Sequence, residues 1–141
     1  MAHTRFPIEV LTPEGEVLGG EAEMVCTRTT LGEIGILANH APLLGMLEPA
    51  ELRVYRSEGD VLRFAQSEGY LQVGGNRLML LAQEIHVPGQ LDVAALRERL
   101  AEAEQALGGA GEDSERRRAA LRERRRCQVF LKVAEGSAGH R

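Results

Sequence analysis

The chain has 141 residues, 43% of them hydrophobic and 27% charged. Those are ordinary values for a globular protein of one domain, or one domain with an appendage. Aromatic residues are only 4%, with no Trp, which excludes a stacking platform for bases or sugars. No apolar run approaches the roughly 20 residues that span a bilayer, and Met1 to Pro7 lacks the apolar stretch of a signal peptide. A cytosolic protein is expected, with any membrane association arising through a partner. The net charge of −4 hides an asymmetry: residues 1–111 hold 8 Lys+Arg against 16 Asp+Glu, and residues 112–141 hold 9 against 5. Two cysteines, Cys26 and Cys127, make no disulfide framework and are expected as reduced thiols.

Residues 1–87 read as short strands with turn punctuation. Phe6, Ile8 and Val10 alternate with less apolar positions, and Pro13-Glu14-Gly15 is a turn signal before Val17 and Leu18. Ala22, Met24 and Cys26 are expected on one strand face, and Leu52 and Val54 on another. Ser57 to Asp60 and Gly74-Gly75-Asn76 read as hairpin loops. Leu78 to Leu81 is apolar on both parities, which predicts a strand covered on both sides. Short strands at about ten-residue spacing with Gly/Asn/Asp turns predict an antiparallel all-β sandwich or barrel.

Pro88-Gly89 ends the β region. Asp92 is placed to N-cap a helix over about 92–107, in which Val93, Leu96, Leu100, Ala103 and Leu107 form one apolar stripe. The run Gly108-Gly109-Ala110-Gly111 stops it. Asp113 or Ser114 caps a second helix over about 113–134, with Gly136 and Gly139 as a frayed end. The predicted architecture is a β domain over 1–87 and an αα-hairpin over 88–141. The hairpin's stripe of one Val and three Leu is small for ordering two helices, so it is expected to need a surface to dock on.

Two segments carry chemistry. In Leu31-Gly32-Glu33-Ile34-Gly35-Ile36-Leu37-Ala38-Asn39-His40-Ala41-Pro42-Leu43-Leu44, Glu33 lies between two glycines and is expected on an exposed turn. A lone acid there is as readily a bland surface charge as a contact. His40 has no Cys, His or acid at metal-ligand spacing, so it reads as a packed β-corner histidine and no metal is expected. Gly32-x-x-Gly35 is no phosphate loop, because no Gly-Lys-Ser/Thr follows. In the second segment Arg116, Arg117, Arg118, Arg122, Arg124, Arg125 and Arg126 crowd into eleven residues. A solvated face is the plain explanation of a charge run. The density of this one, with almost no acids, points instead to an acidic surface or a phosphate backbone. Neither a Ser-His-Asp or Cys-His set nor paired catalytic carboxylates stand out, so no enzymatic activity is expected of the chain alone.

The Gly-Glu-x-Gly-Ile turn followed by His40-x-Pro42-Leu43 resembles the epsilon subunit of the rotary (F-type) ATP synthase, of the bacterial type with a two-helix C-terminal domain. Val10-Leu11-Thr12-Pro13-Glu14-Gly15 and Gly69-Tyr70-Leu71-Gln72-Val73 with Asn76 extend the likeness over nearly the whole chain. The resemblance implies a sandwich of about ten short strands followed by the helical hairpin. It implies a non-catalytic rotor subunit in the central stalk, bound to the gamma subunit and standing on the c-ring. It places Leu31, Gly32, Glu33 and Ile34 against the c-ring and makes Gly35, His40 and Pro42 structural motif residues. The Arg-rich helix would meet acidic loops of the alpha and beta subunits and inhibit ATP hydrolysis. The protein would sit peripherally on the cytoplasmic face of the bacterial membrane, coupled to proton transport through the complex. Many relatives carry an Ile/Leu-Asp-x-x-Arg-Ala nucleotide motif. Leu91-Asp92 matches it, but Ala95 stands at the Arg position, so no cofactor is expected and ATP as a regulatory ligand is doubtful. The alternative is a β-sandwich binding module with a basic nucleic-acid-binding tail. The acidic body and the lack of stacking aromatics in the tail argue against it, so no nucleic-acid partner is expected.

Overall fold

The computed structural model describes residues 3–139, with the side chains of 137–139 left aside. The chain divides into two compact units, Met1–Val87 and Pro88–Arg141.

The first unit holds ten strands: β1 (Phe6–Thr12), β2 (Gly15–Ala22), β3 (Met24–Thr29), β4 (Gly32–Leu37), β5 (Leu43–Leu47), β6 (Ala50–Ser57), β7 (Asp60–Gln66), β8 (Gly69–Gly74), β9 (Arg77–Ala82) and β10 (Ile85–His86). They run in the order β10-β7-β6-β3-β5-β8-β9-β1-β2, with β4 added beside β3. The path bends at β3, which meets β5 only through the Thr29–Leu47 pair. Two layers thus enclose one core, the sandwich the alternation predicts.

That core is made of the inward parities. Phe6, Ile8 and Val10 come from β1, Leu52 and Val54 from β6, Leu71 and Val73 from β8, and Leu78 and Leu80 from β9. Period-two alternation puts these residues on one face, and burying each stabilises by about 1.5–3 kcal/mol.

Four sequence expectations need correction. The sheet is not wholly antiparallel, because β1 runs parallel to β9 through the Ile8–Leu78 to Leu11–Leu81 pairs. Ala22 does not share a face with Met24 and Cys26. The chain crosses between strands at buried Glu23, whose N–H donates to the Tyr55 carbonyl at 2.7 Å. Ala22 therefore faces inward, while Val25, Thr27 and Thr29 take the inner face of β3 and leave Met24 and Cys26 half-buried. The Leu78–Leu81 run is covered on one side only, since Met79 and Leu81 remain 38% and 37% exposed. Glycine at 69 reflects a close approach, because a Cβ there would overlap the backbone at Leu81–Ala82.

The second unit opens with a short 3-10 turn (Pro88–Gln90), followed by α1 (Val93–Gly109) and α2 (Ser114–Gly139). Asp92 caps α1 as expected, its Oδ1 accepting from Ala95 N at 3.0 Å. Gly111 at φ 56° turns the chain, and Asp113 Oδ1 accepts from Arg116 N at 3.1 Å. The cap of α2 is thus Asp113. The fourth correction concerns its end: α2 continues past Ala134 and Gly136 to Gly139. A glycine inside a helix costs only about 1 kcal/mol, so Gly136 does not stop it.

Candidate functional site

The β3–β4 connection is a tight turn built by one side chain. Thr29 Oγ1 accepts from Leu31 N at 3.1 Å and donates to the Gly32 carbonyl at 3.2 Å. Gly32 sits at φ 119°, a conformation that L side chains rarely adopt, so glycine is required there. Thr30 N donates to Met46 O at 2.9 Å, and Glu48 N to Arg28 O at 3.1 Å, tying the turn to β5 and the segment after it. The tip is Thr30–Leu31, with Leu31 95% exposed. Glu33 is not on the turn, as the sequence suggested. It is the second residue of β4, exposed, and paired across the ladder with Arg28. Arg28 in turn reaches Glu48 at 3.3 Å. Ile34 is partly buried against the core.

The structure adds residues to this end that the sequence reading missed. Leu44 and Met46 point outward from β5 at 74% and 57% exposure. With Leu31, Gly32, Ile34 and Leu43 they line a shallow cavity of about 310 Å³. Met46 pairs across to Tyr70, which is 56% exposed, and Tyr70 to Leu81. A row of outward apolar side chains thus crosses β5, β8 and β9. Scattered exposed leucines are unremarkable, but a contiguous apolar patch marks an interaction surface. The signal was present as Leu43-Leu44-Gly45-Met46-Leu47, apolar on both parities.

The motif residues that follow hold the chain's course. Asn39 and Asn76 both adopt left-handed backbone, at φ 61° and 59°. Asn76 Oδ1 accepts from Asn39 N at 2.7 Å, which fastens this bend to the β8–β9 hairpin. His40 is half-buried, its Nδ1 2.7 Å from the Ala41 carbonyl, which assigns the proton to Nδ1. Pro42 is exposed. Gly35 is not conformationally demanded: a Cβ there would meet Cys26 Sγ at 3.7 Å, an ordinary contact. Burial pushes the Cys26 thiol above its ordinary value, with Arg53 opposing and Glu33 adding to the shift. Among the described residues no His/Cys/Asp/Glu group could hold a metal.

In the helical unit the seven arginines do not share one face. Ala120, Cys127, Phe130 and Ala134 are buried at helical spacing along one side of α2. On that side Glu123 accepts from Arg99 Nη2 of α1 at 2.8 Å and lies 3.9 Å from Arg126 Nη1. Arg116, Arg117, Arg118, Arg122 and Arg125 are exposed, and Arg124 and Arg126 half-buried. The Asp92 carboxylate is used in the cap, and Ala95 offers no cation beside it.

Residues 5–88 match the family model for the ATP synthase Delta/Epsilon chain, beta-sandwich domain. The chain is 42% identical over 100 residues to the ATP synthase epsilon chain of Brevibacillus brevis, covering 68% of this chain and 75% of that one. It is 33% identical over 129 residues to the epsilon chain of Sulfurihydrogenibium, covering 92% and 96%. Its fold is similar to a chain in the Euglena gracilis mitochondrial ATP synthase (OSCP/F1/c-ring), with a TM-score of 0.73 at 20% identity over 96% of this chain and 82% of that one. It is also similar to one in the central stalk and c-ring of the Tetrahymena thermophila enzyme, with a TM-score of 0.58 at 16% identity over 95% and 99%. The chain therefore belongs to the ATP synthase delta/epsilon family. Within it the chain is of the epsilon type, a non-catalytic subunit.

Proposed function

We propose that this chain works in the central stalk of ATP synthase as a rotor subunit that links the gamma subunit to the c-ring. The observation that carries this reading is the apolar end at Leu31, Leu44 and Met46, held on a sandwich whose turn is fixed by Thr29 and Gly32. Transmitting torque needs a stiff body with an adhesive end, and packed β structure resists deformation. Leu31, Gly32, Glu33 and Ile34 would contact the c-ring, and the outward row Met46–Tyr70–Leu81 would widen the docking surface. No described helix is long and apolar enough to cross a membrane. On this reading the protein reaches the cytoplasmic face of the membrane only as part of the complex.

The helical unit would regulate. Its exposed arginines suit the acidic loops of the alpha and beta subunits, and engagement there would restrain ATP hydrolysis. ATP is not assigned as its ligand, because the Asp92 carboxylate caps Ala95 and Arg99 is engaged by Glu123. The test is ATP hydrolysis by the assembled complex carrying the chain truncated after Val87. Faster hydrolysis with assembly retained supports the regulatory role, and unchanged hydrolysis removes that role.

A further inference from the structure

One edge of the β unit is open. Thr29 of β3 pairs with Leu47 of β5, and the bonds come from its neighbours: Thr30 N donates to Met46 O at 2.9 Å, and Arg28 O accepts from Glu48 N at 3.1 Å. Successive residues of a strand bond to opposite sides, so Val25, Thr27 and Thr29 turn toward β4, where they face Ile36, Ile34 and Gly32. Glu33, Gly35 and Leu37 therefore aim their N–H and C=O groups away from β3. Among the described residues no strand lies on that side, and all three residues are exposed. Leu37 O accepts from His40 N at 3.2 Å, within the bend that follows.

An open edge is a template for another strand, and proteins blunt such edges with charge, proline, bulges or shortness. The edge strand β10 has two residues. The edge strand β2 carries Glu16, Glu21, a register shift opposite Val10–Leu11, and Gly20 at φ 104°. By contrast β4 runs six residues, Gly32–Leu37, with one acid and neither lysine nor proline.

We infer that β4 is a self-pairing edge, through which two copies of this chain join antiparallel about a twofold axis at Gly35. Residues with outward backbone groups form the directly bonded pairs of such a ladder. Centring on Gly35 pairs it with Gly35 of the second copy, and each Glu33 with Leu37 of the other copy, for up to about six bonds. The strand is self-complementary in this register, as an isologous contact requires. No side chain collides at the axis, and each Glu33 lies beside a leucine, so like charges are not opposed. On the inner face, half-buried Ile34 gains Ile36 of the second copy as a neighbour. An unrelated strand could form the same bonds, but the placing of acid and leucine on either side of one glycine is matched by a second β4. The pairing belongs to the free chain. On the reading above it would cover Gly32, Glu33 and Ile34, so a paired chain must part before it docks.

Sedimentation velocity of the full-length free chain tests this with no other subunit present. The chain should sediment as a dimer at about 100 µM and as a monomer at about 1 µM, the range of a small transient contact. Gly35→Pro removes the central N–H and should leave a monomer at both concentrations. Gly35→Ala keeps that N–H, its Cβ meeting Cys26 Sγ at 3.7 Å, and should dimerise within about twofold of the original chain. If circular dichroism shows Gly35→Pro unfolded, hydrogen exchange of the original chain decides. The Glu33, Gly35 and Leu37 amides should then be protected about tenfold more at the higher concentration than at the lower, with Ile34 and Ile36 unchanged. A monomer at both concentrations, a folded Gly35→Pro chain that still dimerises, or edge amides that exchange alike at both would overturn the inference. So would a dimer that Met46→Asp dissolves and Gly35→Pro leaves intact, because that contact would sit on the apolar end. The rotor reading stands or falls separately, by recovery of the gamma subunit.

Discussion

The two units are built on different terms. The β unit buries large side chains such as Phe6, Leu52, Leu71 and Leu80, each from an alternating strand locked by ladders on its neighbours. The helical unit buries fewer large side chains, Leu96 and Phe130 with Cys127 and Val133 among several alanines, and a half-exposed ion pair joins its helices. A surface pair of that kind is worth about 0–1 kcal/mol, and the buried alanines contribute less area than the leucines and phenylalanines of the β core. The helical unit therefore has the smaller core of the two. That difference suits the torque-bearing body and the regulatory tail proposed above.

The largest effects should come from breaking the β unit. Gly69→Ala forces a Cβ into the Leu81–Ala82 backbone and should cost on the order of 3–5 kcal/mol. Leu80→Ala, at a fully buried site, should cost about 2–5 kcal/mol. Urea denaturation followed on the β signal measures both, and a loss below about 1 kcal/mol in each would deny the stiff body.

Next comes the hairpin. Asp92→Ala removes the cap on Ala95 and should cost about 0.5–2 kcal/mol. Native-state hydrogen exchange should show this in α1 amides alone. The amides of β3, β6 and β8 should open at higher free energy than those of α1 in every variant. Joint opening of both units would erase the comparison.

At the exposed end, Leu31→Asp should change stability by no more than about 0.5 kcal/mol. It should nonetheless impair ATP-driven proton pumping by the assembled complex. Intact pumping would mean that the tip is not a contact.

The smallest effect concerns Cys26. Its thiol is held above the ordinary value of 9.0, chiefly by burial. The fold therefore favours the neutral thiol, whose contribution to stability is complete below the unfolded value and is lost as pH rises through the raised folded value. Iodoacetamide should label Cys26 more slowly than a free thiol at pH 8, because the thiolate is the nucleophile.

Much of the fold could be read from local chemistry. Alternation gave the inward faces of β1 and β6, the Gly74-Gly75-Asn76 and Pro13-Glu14-Gly15 turns marked their hairpins, and Asp92 marked the start of α1. What local reasoning missed was set by partners distant in sequence. The parallel β1–β9 pair joins residues some 70 positions apart. The swap of faces at Glu23 depends on Tyr55. The apolar end at Leu31, Leu44 and Met46 was half legible. Gly32 and Leu31 stood out, but Glu33 moved from turn to strand. Leu44, Met46 and Tyr70 were hidden because apolar residues on both parities look the same in a covered strand and in an interface. The arginines cover most of the circumference of α2, with only a weak apolar seam legible between them, and burial of Ala120, Cys127, Phe130 and Ala134 shows which side is covered.

The most direct measurement is recovery of the gamma subunit with the affinity-tagged chain, full length and truncated after Val87. The account predicts equal recovery with both, because the β unit alone carries the rotor contact. Recovery with neither form, or with the full-length chain only, would contradict it.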